Sequence, residues 1–382
     1  MEDFVALREG VRQLCERYPS HYWREKDRAR AYPEEFVLAM TEAGYLAALI
    51  PEEYGGAGLG ILEASIILEE INRSGGNAGQ CHAQMYTMGT VLRHGSADQK
   101  KRWLPAIAEG SIRLQAFGVT EPGAGSDTTQ IQTTARWDGR QYRVTGQKIF
   151  ISRVQHSDFL LLLARTTPIA EVTRRSQGLS VFMVDLRRAL SQGLTVTPVD
   201  TMMNHETNAL YFDDVPVPAE NLIGQEGNGF SYILDGMNAE RILIAGECLG
   251  DGYFFIDRAT QYARERIVFD RPIGQNQGIQ FPLARAYAHL RAADLMRTQA
   301  ARRFDRGEHA GEEANLAKLL ASEASWEAAN AAMQTHGGYG FAVEYDIERK
   351  FRETRLYQVA PISTNLILSY LGEHVLNLPR SF

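Results

Sequence analysis

Val119–Thr120–Glu121–Pro122–Gly123–Ala124–Gly125–Ser126–Asp127–Thr128 is the stretch on which the reading of this chain turns. Its two glycines and small alanine leave the backbone uncovered, so main-chain N–H groups can approach a bulky anionic ligand. Thr120, Ser126 and Thr128 add hydroxyls suited to phosphate oxygens or the edge of a heteroaromatic ring. Alone, the run reads equally well as a tight surface turn after a strand, with Pro122 and Gly123 as ordinary turn residues. Its surroundings decide between the two.

A chain of 382 residues exceeds one ordinary core, so two or three domains are expected. At 44% hydrophobic and 23% charged residues it has the composition of a globular protein rather than a disordered one. A net charge of −7 without a basic block argues against nucleic acid as a partner, while a local Arg or Lys cluster could still hold a small anion. Cys15, Cys81 and Cys248 show no CxxC or Cys/His ligand spacing, so they read as reduced core residues and no metal site is expected. Met1–Glu2–Asp3–Phe4 is acidic at once, and no apolar run is long enough to span a bilayer. The expectation is a cytoplasmic protein with no signal peptide and no membrane partner.

Three segments follow one another. Residues 1–115 are expected to be helical, with apolar spacing in Phe36–Val37–Met40 and Ile66–Ile67–Leu68–Ile71 and a Gly-rich break over residues 55–60. Residues 116–225 switch to short β-type runs: Gln141–Thr145 alternates, Leu160–Ala164 is continuously apolar, and Leu179–Val184 and Leu194–Val199 follow. Asp138–Gly139 marks a turn, and Val215–Pro216–Val217–Pro218 is expected as an extended exit. Residues 226–382 return to helix. Ala284–Arg306 is rich in Ala, Arg and Leu, and Glu312–Gln334 carries a stripe through Leu316, Leu319, Leu320 and Ala324, stopped by Gly337–Gly338. The fold class is therefore α+β multidomain.

This order, over nearly the whole length, resembles an acyl-CoA dehydrogenase protomer. Six pieces match in sequence: residues 50–60, Phe117–Asp127, Gly146–Ser152, Glu265–Phe269, Gln277, and Gln334–Phe341. The resemblance implies an N-terminal helical domain, a middle β-barrel-like domain and a C-terminal helical bundle, with FAD as cofactor. Phe117, Val119, Thr120, Gly125 and Ser126 would line the flavin and its pyrophosphate, Ser126 also lying near the substrate thioester. Phe150, Ile151 and Ser152 would pass along the isoalloxazine ring, with Ser152 donating to the flavin N5. Arg266, Phe269, Gln277, Gln334, Gly337 and Gly338 would reach FAD from a neighbouring subunit in a homotetramer or dimer, and Ser363 and Asn365 complete the set. One departure is Asp270, where the family places glycine.

A second departure concerns the base. The usual family glutamate falls at Pro361, within Tyr357–Gln358–Val359–Ala360–Pro361–Ile362–Ser363–Thr364–Asn365, and proline offers neither a carboxylate nor an N–H for the thioester oxygen. The N–H of Ile362 or of Ala360, or the FAD ribityl hydroxyl alone, would have to serve instead. The isovaleryl-CoA and long-chain branches carry their glutamate just before an arginine on the first long C-terminal helix. Here that position is Glu240, followed by Arg241 and the apolar and small run Ile242–Gly246. Partial burial there would raise a carboxyl toward the range of a general base; the competing reading is a solvated helix face beside Arg241. Asn238, Arg241, Ala360, Pro361 and Ser126 are then the candidate substrate contacts, with Ala360 in place of a common tyrosine leaving room for a bulky acyl group. The implied activity is α,β-oxidation of an acyl-CoA to the trans-2-enoyl-CoA, with an electron-transfer flavoprotein as acceptor. The alternatives are other flavin chemistry on a CoA ester, such as β-elimination, oxidation of a nitroalkane, or a catalytically silent scaffold.

Overall fold

The structure, a computed structural model, describes residues 4–380; the acidic start Met1–Asp3 lies outside them. Chain contacts gather into two compact units. One comprises the described residues up to Ala29, Gly60–Ala78, and the chain from Asn238 on; the other comprises Arg30–Leu59 and Gly79–Met237.

The helical, β, helical order stands. Helices α1 (Val5–Glu16), α2 (Ser20–Ala29), α3 (Glu34–Glu42), α4 (Ile61–Arg73), α5 (Gly79–His94) and α6 (Ala97–Glu109) precede the strands. The strands are β1 (Ala116–Gly118), β2 (Thr134–Trp137), β3 (Gln141–Ser152), β4 (Phe159–Arg165), β5 (Leu179–Asp185), β6 (Leu194–Pro198), β7 (Thr207–Pro218) and β8 (Leu222–Ile223), with the short helix α7 (Leu186–Leu190) after β5. Helices α8 (Gly229–Glu265), α9 (Gln277–Asp305), α10 (Gly311–His336), α11 (Ile347–Leu356) and α12 (Thr364–Tyr370) follow, and the ribbon β9 (Ile267–Val268)–β10 (Arg271–Pro272) separates α8 from α9.

The β-barrel-like expectation needs correction, because the sheet does not close. Its order is β6-β7-β3-β2-β4-β5-β8, with β1 added beside β4, and the outermost strands β6 and β8 each have one neighbour. Strand β8 contributes two residues, too few to template a closing strand. The unbroken apolar run of β4 reflects burial on both faces. Leu160, Leu162 and Ala164 pack with Phe182 and Val184 on one side. Leu161 and Leu163 pack with Trp103, Leu104 and Ile107 of α6 on the other. Val215–Pro218 is extended as expected, and forms the end of β7 with Gln141 opposite Pro218. Strand β6 pairs with β7 only at residues 208–212, so the proline nitrogens beyond leave no bond on that side unmade.

In the other unit, Gly246 and Gly250, one turn apart, let α8 lie directly on α4. A Cβ on either would meet the Ser65 or Glu69 carbonyl oxygen at 2.3 Å. Arg297 on α9 ties to the same surface, donating to Ser65 Oγ at 2.9 Å and Glu69 Oε2 at 2.8 Å. Alanines on facing sides of α9 and α10, among them Ala286, Ala293, Ala314 and Ala321, are fully buried. Such small side chains permit close helix packing.

Candidate active site

The Val119–Thr128 stretch leaves β1 as a built loop. Glu121 and Ala124 exchange backbone hydrogen bonds of 3.2 and 3.0 Å around Pro122–Gly123, and Ile149 N donates to Thr120 O at 2.9 Å. A Cβ added at Gly123 or Gly125 would meet nothing within 4 Å, so this backbone faces open space. Beneath it lies a buried ion pair. Lys148 on β3, with no exposed surface, donates to Val119 O at 2.9 Å and Glu121 Oε1 at 2.8 Å. Glu121 also accepts from Gln132 N and Thr133 N at 2.7 and 3.0 Å. Burial pushes the Lys148 pKa down to about 8 against the opposing charge of Glu121. Burial also disfavours the Glu121 charge, but Lys148 and these hydrogen bonds outweigh it and hold its pKa below the ordinary value. Thr128 Oγ1 turns back to the Gly125 carbonyl at 3.3 Å, and Ser126 is exposed.

The second strip runs along β3. A register shift between Lys148 and Ile151 places Phe150 at φ +59°, 61% exposed, while Ile151 turns into the core. A bulge of this kind re-aims a side chain off the sheet. Ser152 beside it is half-buried and accepts a hydrogen bond of 2.6 Å from Asn204 Nδ2.

In the other unit a cleft of about 560 Å³ is lined by Tyr262, Arg266, Thr335, His336, Gly337, Gly338 and Tyr339, among others. Tyr262 and His336 stack at 4.4 Å, and the Arg266 guanidinium stands 5.8 Å over the Tyr339 ring. Arg266, Gly337 and Gly338 thus come together, and Gln334 is exposed one turn before them. Gln277, exposed at the start of α9, and Phe269, 93% exposed, do not line the cleft. Phe269 and Asp270 form the tip of the β9–β10 ribbon at φ +50° and +60°. Both positions of such a turn favour residues that tolerate positive φ, so Asp270 holds a left-handed conformation that the family's glycine adopts freely.

Glu240 lies on α8 at 1% exposure, with Ile242, Leu243 and Ala245 at 0%, so the solvated-face reading does not hold. Arg241 donates to Asn238 Oδ1 at 2.9 Å, and its buried Nε has no hydrogen-bond partner among the described residues. Burial lowers the Arg241 pKa, with the charges of Glu240 and Tyr370 opposing. The Pro361 turn is held from below by Lys318 of α10, which has no exposed surface. Its ammonium donates to the Tyr357 carbonyl and, at 2.8 Å, to the Ile362 carbonyl. Burial lowers its pKa, opposed by the charges of Cys248 and Glu240. Ala360 N–H is spent on Leu356 O at 2.9 Å, whereas Ile362 N–H has no such acceptor among the described residues. Ser363 caps α12, accepting from Leu366 N at 3.4 Å, and Asn365 is exposed. Glu353 is bound to Lys350 at 2.9 Å and Glu348 to Arg352 at 3.0 Å, so neither is a free carboxylate.

Three models of the acyl-CoA dehydrogenase N-terminal, middle and C-terminal domains match residues 1–111, 116–215 and 227–374 in turn. The chain belongs to the acyl-CoA dehydrogenase family. It is an FAD-dependent oxidoreductase. Among its relatives, acyl-CoA dehydrogenase FadE12 of Mycobacterium tuberculosis (strain ATCC 25618 / H37Rv) is 36% identical over 386 residues, covering 100% of this chain and 98% of that one. A 3-(aryl)acrylate reductase of Clostridium sporogenes (strain ATCC 15579) is 34% identical over 363 residues, 94% of each. The solved glutaryl-coenzyme A dehydrogenase–glutaryl-CoA complex superposes with a TM-score of 0.92 at 30% identity, over 100% of this chain and 97% of that one.

The residues present fit the cofactor of this acyl-CoA dehydrogenase family. In one unit, open glycine backbone at residues 123 and 125 and hydroxyls at Thr120, Ser126 and Ser152 supply the kind of donors a dinucleotide needs; in the other unit, taken by itself, an aromatic cleft with Arg266 offers flat surfaces and a cation. Sequence reasoning missed Lys148, Lys318 and Asn204. Lys148 sits inside a quoted motif and Lys318 inside the apolar stripe of α10, and a charge in such a place is itself the signal. Nothing local marks Asn204.

Proposed function

We propose that this chain oxidises an acyl-CoA thioester to the trans-2-enoyl-CoA, with Glu240 as the base. The observation that carries this reading is the buried Glu240 carboxylate on α8, at the position matching the base of the isovaleryl-CoA and long-chain branches, where Pro361 has no proton acceptor. Glu240 takes the proton α to the thioester carbonyl. Bound FAD supplies, at N5, the acceptor for the β hydride. Phe117, Val119, Thr120, Gly125, Ser126, Phe150, Ile151 and Ser152 hold the flavin. Arg266, Phe269, Gln277, Gln334, Gly337 and Gly338 serve the FAD of a neighbouring subunit, with Ser363 and Asn365 beside them.

Ile362 N–H is the protein donor to the thioester oxygen, since Ala360 N–H is already committed and Lys318 fixes the peptide that follows. Asn238, Arg241, Ala360, Pro361 and Ser126 meet the substrate, and the small Ala360 suits a branched or bulky acyl group. The electron acceptor is an electron-transfer flavoprotein. The assembly is a homotetramer or at least a dimer, consistent with the exposed Ile267 (53%), Phe281 (57%) and Leu295 (72%). Among the described residues no helix is long and apolar enough to cross a membrane.

The test is anaerobic mixing of the holoenzyme with a panel of straight, branched and cyclic acyl-CoAs. Bleaching of the oxidised flavin with formation of the enoyl-CoA supports the reading. Product release without net flavin reduction points to β-elimination, and no response to any thioester points to a scaffold.

A further inference from the structure

Asn204 occupies an unusual place. It lies in the left-handed region at φ +56°, facing Arg153, itself at φ +63°, across a bend that Arg153 N closes onto Glu206 O at 2.8 Å. Asparagine is among the few non-glycine residues that occupy this region, and residues held there gather where the surrounding structure fixes a side chain's direction. The amide of Asn204 has no choice of orientation. Arg153 Nη2 can only donate, so the oxygen of Asn204 faces it at 3.0 Å. The two amide hydrogens therefore face Ser152 Oγ at 2.6 Å and Thr207 Oγ1 at 3.2 Å.

The protons can then be counted. Thr207 spends its hydroxyl proton on the Asn204 carbonyl at 2.7 Å. Ser152 receives the amide hydrogen and keeps its own proton. Within the described residues the one acceptor near that proton is Thr207 Oγ1, 3.3 Å away and already receiving an amide hydrogen. That is the weak limit of an O–H···O bond. The Ser152 hydroxyl is thus held as a donor with a spare proton, at the end of the strip that turns Phe150 outward.

We infer that Asn204 is a positioning residue whose amide, by filling a lone pair of Ser152 Oγ, aims the Ser152 proton at N5 of the flavin. The inference rests on the reading above that Phe150–Ser152 runs along the isoalloxazine ring. Asn204 itself touches neither cofactor nor substrate; it acts through Ser152.

The experiment compares two ligands of the apoprotein, FAD and 5-deaza-FAD, in which a C–H replaces N5 and removes the acceptor. The parent protein should bind FAD about tenfold more tightly, the worth of one such hydrogen bond. Asn204→Asp keeps the shape and the Arg153 contact, but its carboxylate accepts the Ser152 proton and draws it away. The affinity ratio should then fall to about one. Asn204→Ala, which removes the amide without adding charge, should lower the ratio at least about threefold. A change that only loosened the fold would weaken both ligands alike and leave the ratio standing. If Ser152→Ala abolishes the ratio while both Asn204 variants keep it, the inference about Asn204 is overturned and the flavin reading survives. If Ser152→Ala keeps the parent ratio, the placement of Ser152 at N5 fails, and the inference with it.

Discussion

Two lysines without exposed surface, Lys148 on β3 and Lys318 on α10, each lie beneath a loop of the candidate site, and they hold those loops differently. Lys148 binds one carbonyl and a carboxylate from the loop itself, Glu121. Lys318 binds two carbonyls, of Tyr357 and Ile362, and the loop it holds carries no acid. In both, burial pulls the ammonium pKa down, but the charge opposing it on Lys148 is a hydrogen-bonded partner. On Lys318 the opposing charges, Cys248 and Glu240, sit on a different helix. Where the family signature is intact, the loop brings its own counter-charge. Where this chain departs from it, at Pro361, the turn is stapled through its backbone, and the carboxylate proposed as base lies on α8.

Breaking the first arrangement should have the larger effect. Lys148→Met leaves Glu121 buried and unpaired, a defect worth about 3–5 kcal/mol. FAD affinity, read by fluorescence titration of the apoprotein, should fall about a hundredfold or more. Adding Glu121→Gln should recover much of it, because removing both charges is far less costly than removing one. Parent-like FAD binding by the single variant would show that the pair does not shape the loop.

Lys318→Met should act on the other side of the comparison. It frees the Ile362 peptide and with it the proposed thioester donor, whose loss is worth up to about 3 kcal/mol. The rate of flavin reduction by acyl-CoA should drop by up to about a hundredfold with FAD still bound. Loss of FAD with unhindered reduction of what remains would erase the distinction between the two lysines.

The smallest effect is one of pH. As pH rises through about 8, Lys148 loses its proton in the folded protein and no longer donates as a cation to Val119 and Glu121. FAD affinity should then decline by at most about tenfold per pH unit, the limit for one proton. The stability term has the opposite sign. Between about 8 and the ordinary lysine value of 10.5 the unfolded chain holds more protons than the folded one, so this group's contribution to stability grows with pH. FAD dissociation that steepens above pH 8 in the parent, but not in Lys148→Met, is the expected pattern from spectrophotometric titration.

Much of this architecture is legible in the chain. The continuous apolar run of Leu160–Ala164 announces a strand buried on both faces, and the stripe ending at Gly337–Gly338 announces α10 and its stop. The burial of Glu240 follows from the residues after it. Other features depend on partners distant in sequence. Closure of the sheet depends on whether β6 and β8 find each other, which alternation within each strand does not encode. The regrouping of Gly60–Ala78 with the C-terminal helices arises from the contact of Gly246 and Gly250 with α4, some 180 residues earlier in the chain by the numbering of Ser65 and Gly246. Asn204, in the loop before β7, acquires its meaning from Ser152 at the end of β3 and from Arg153 just beyond it.

The central claim is that Glu240 is the base that Pro361 cannot be, and Glu240→Gln tests this most directly. The variant keeps the side chain's shape and removes the base. Stopped-flow anaerobic reduction with the best acyl-CoA of the panel should show FAD and substrate still bound and the flavin bleaching about 100-fold more slowly or worse, the expected loss for a positioned general base. Bleaching at the parent rate would contradict the account and move the β-elimination reading ahead of it.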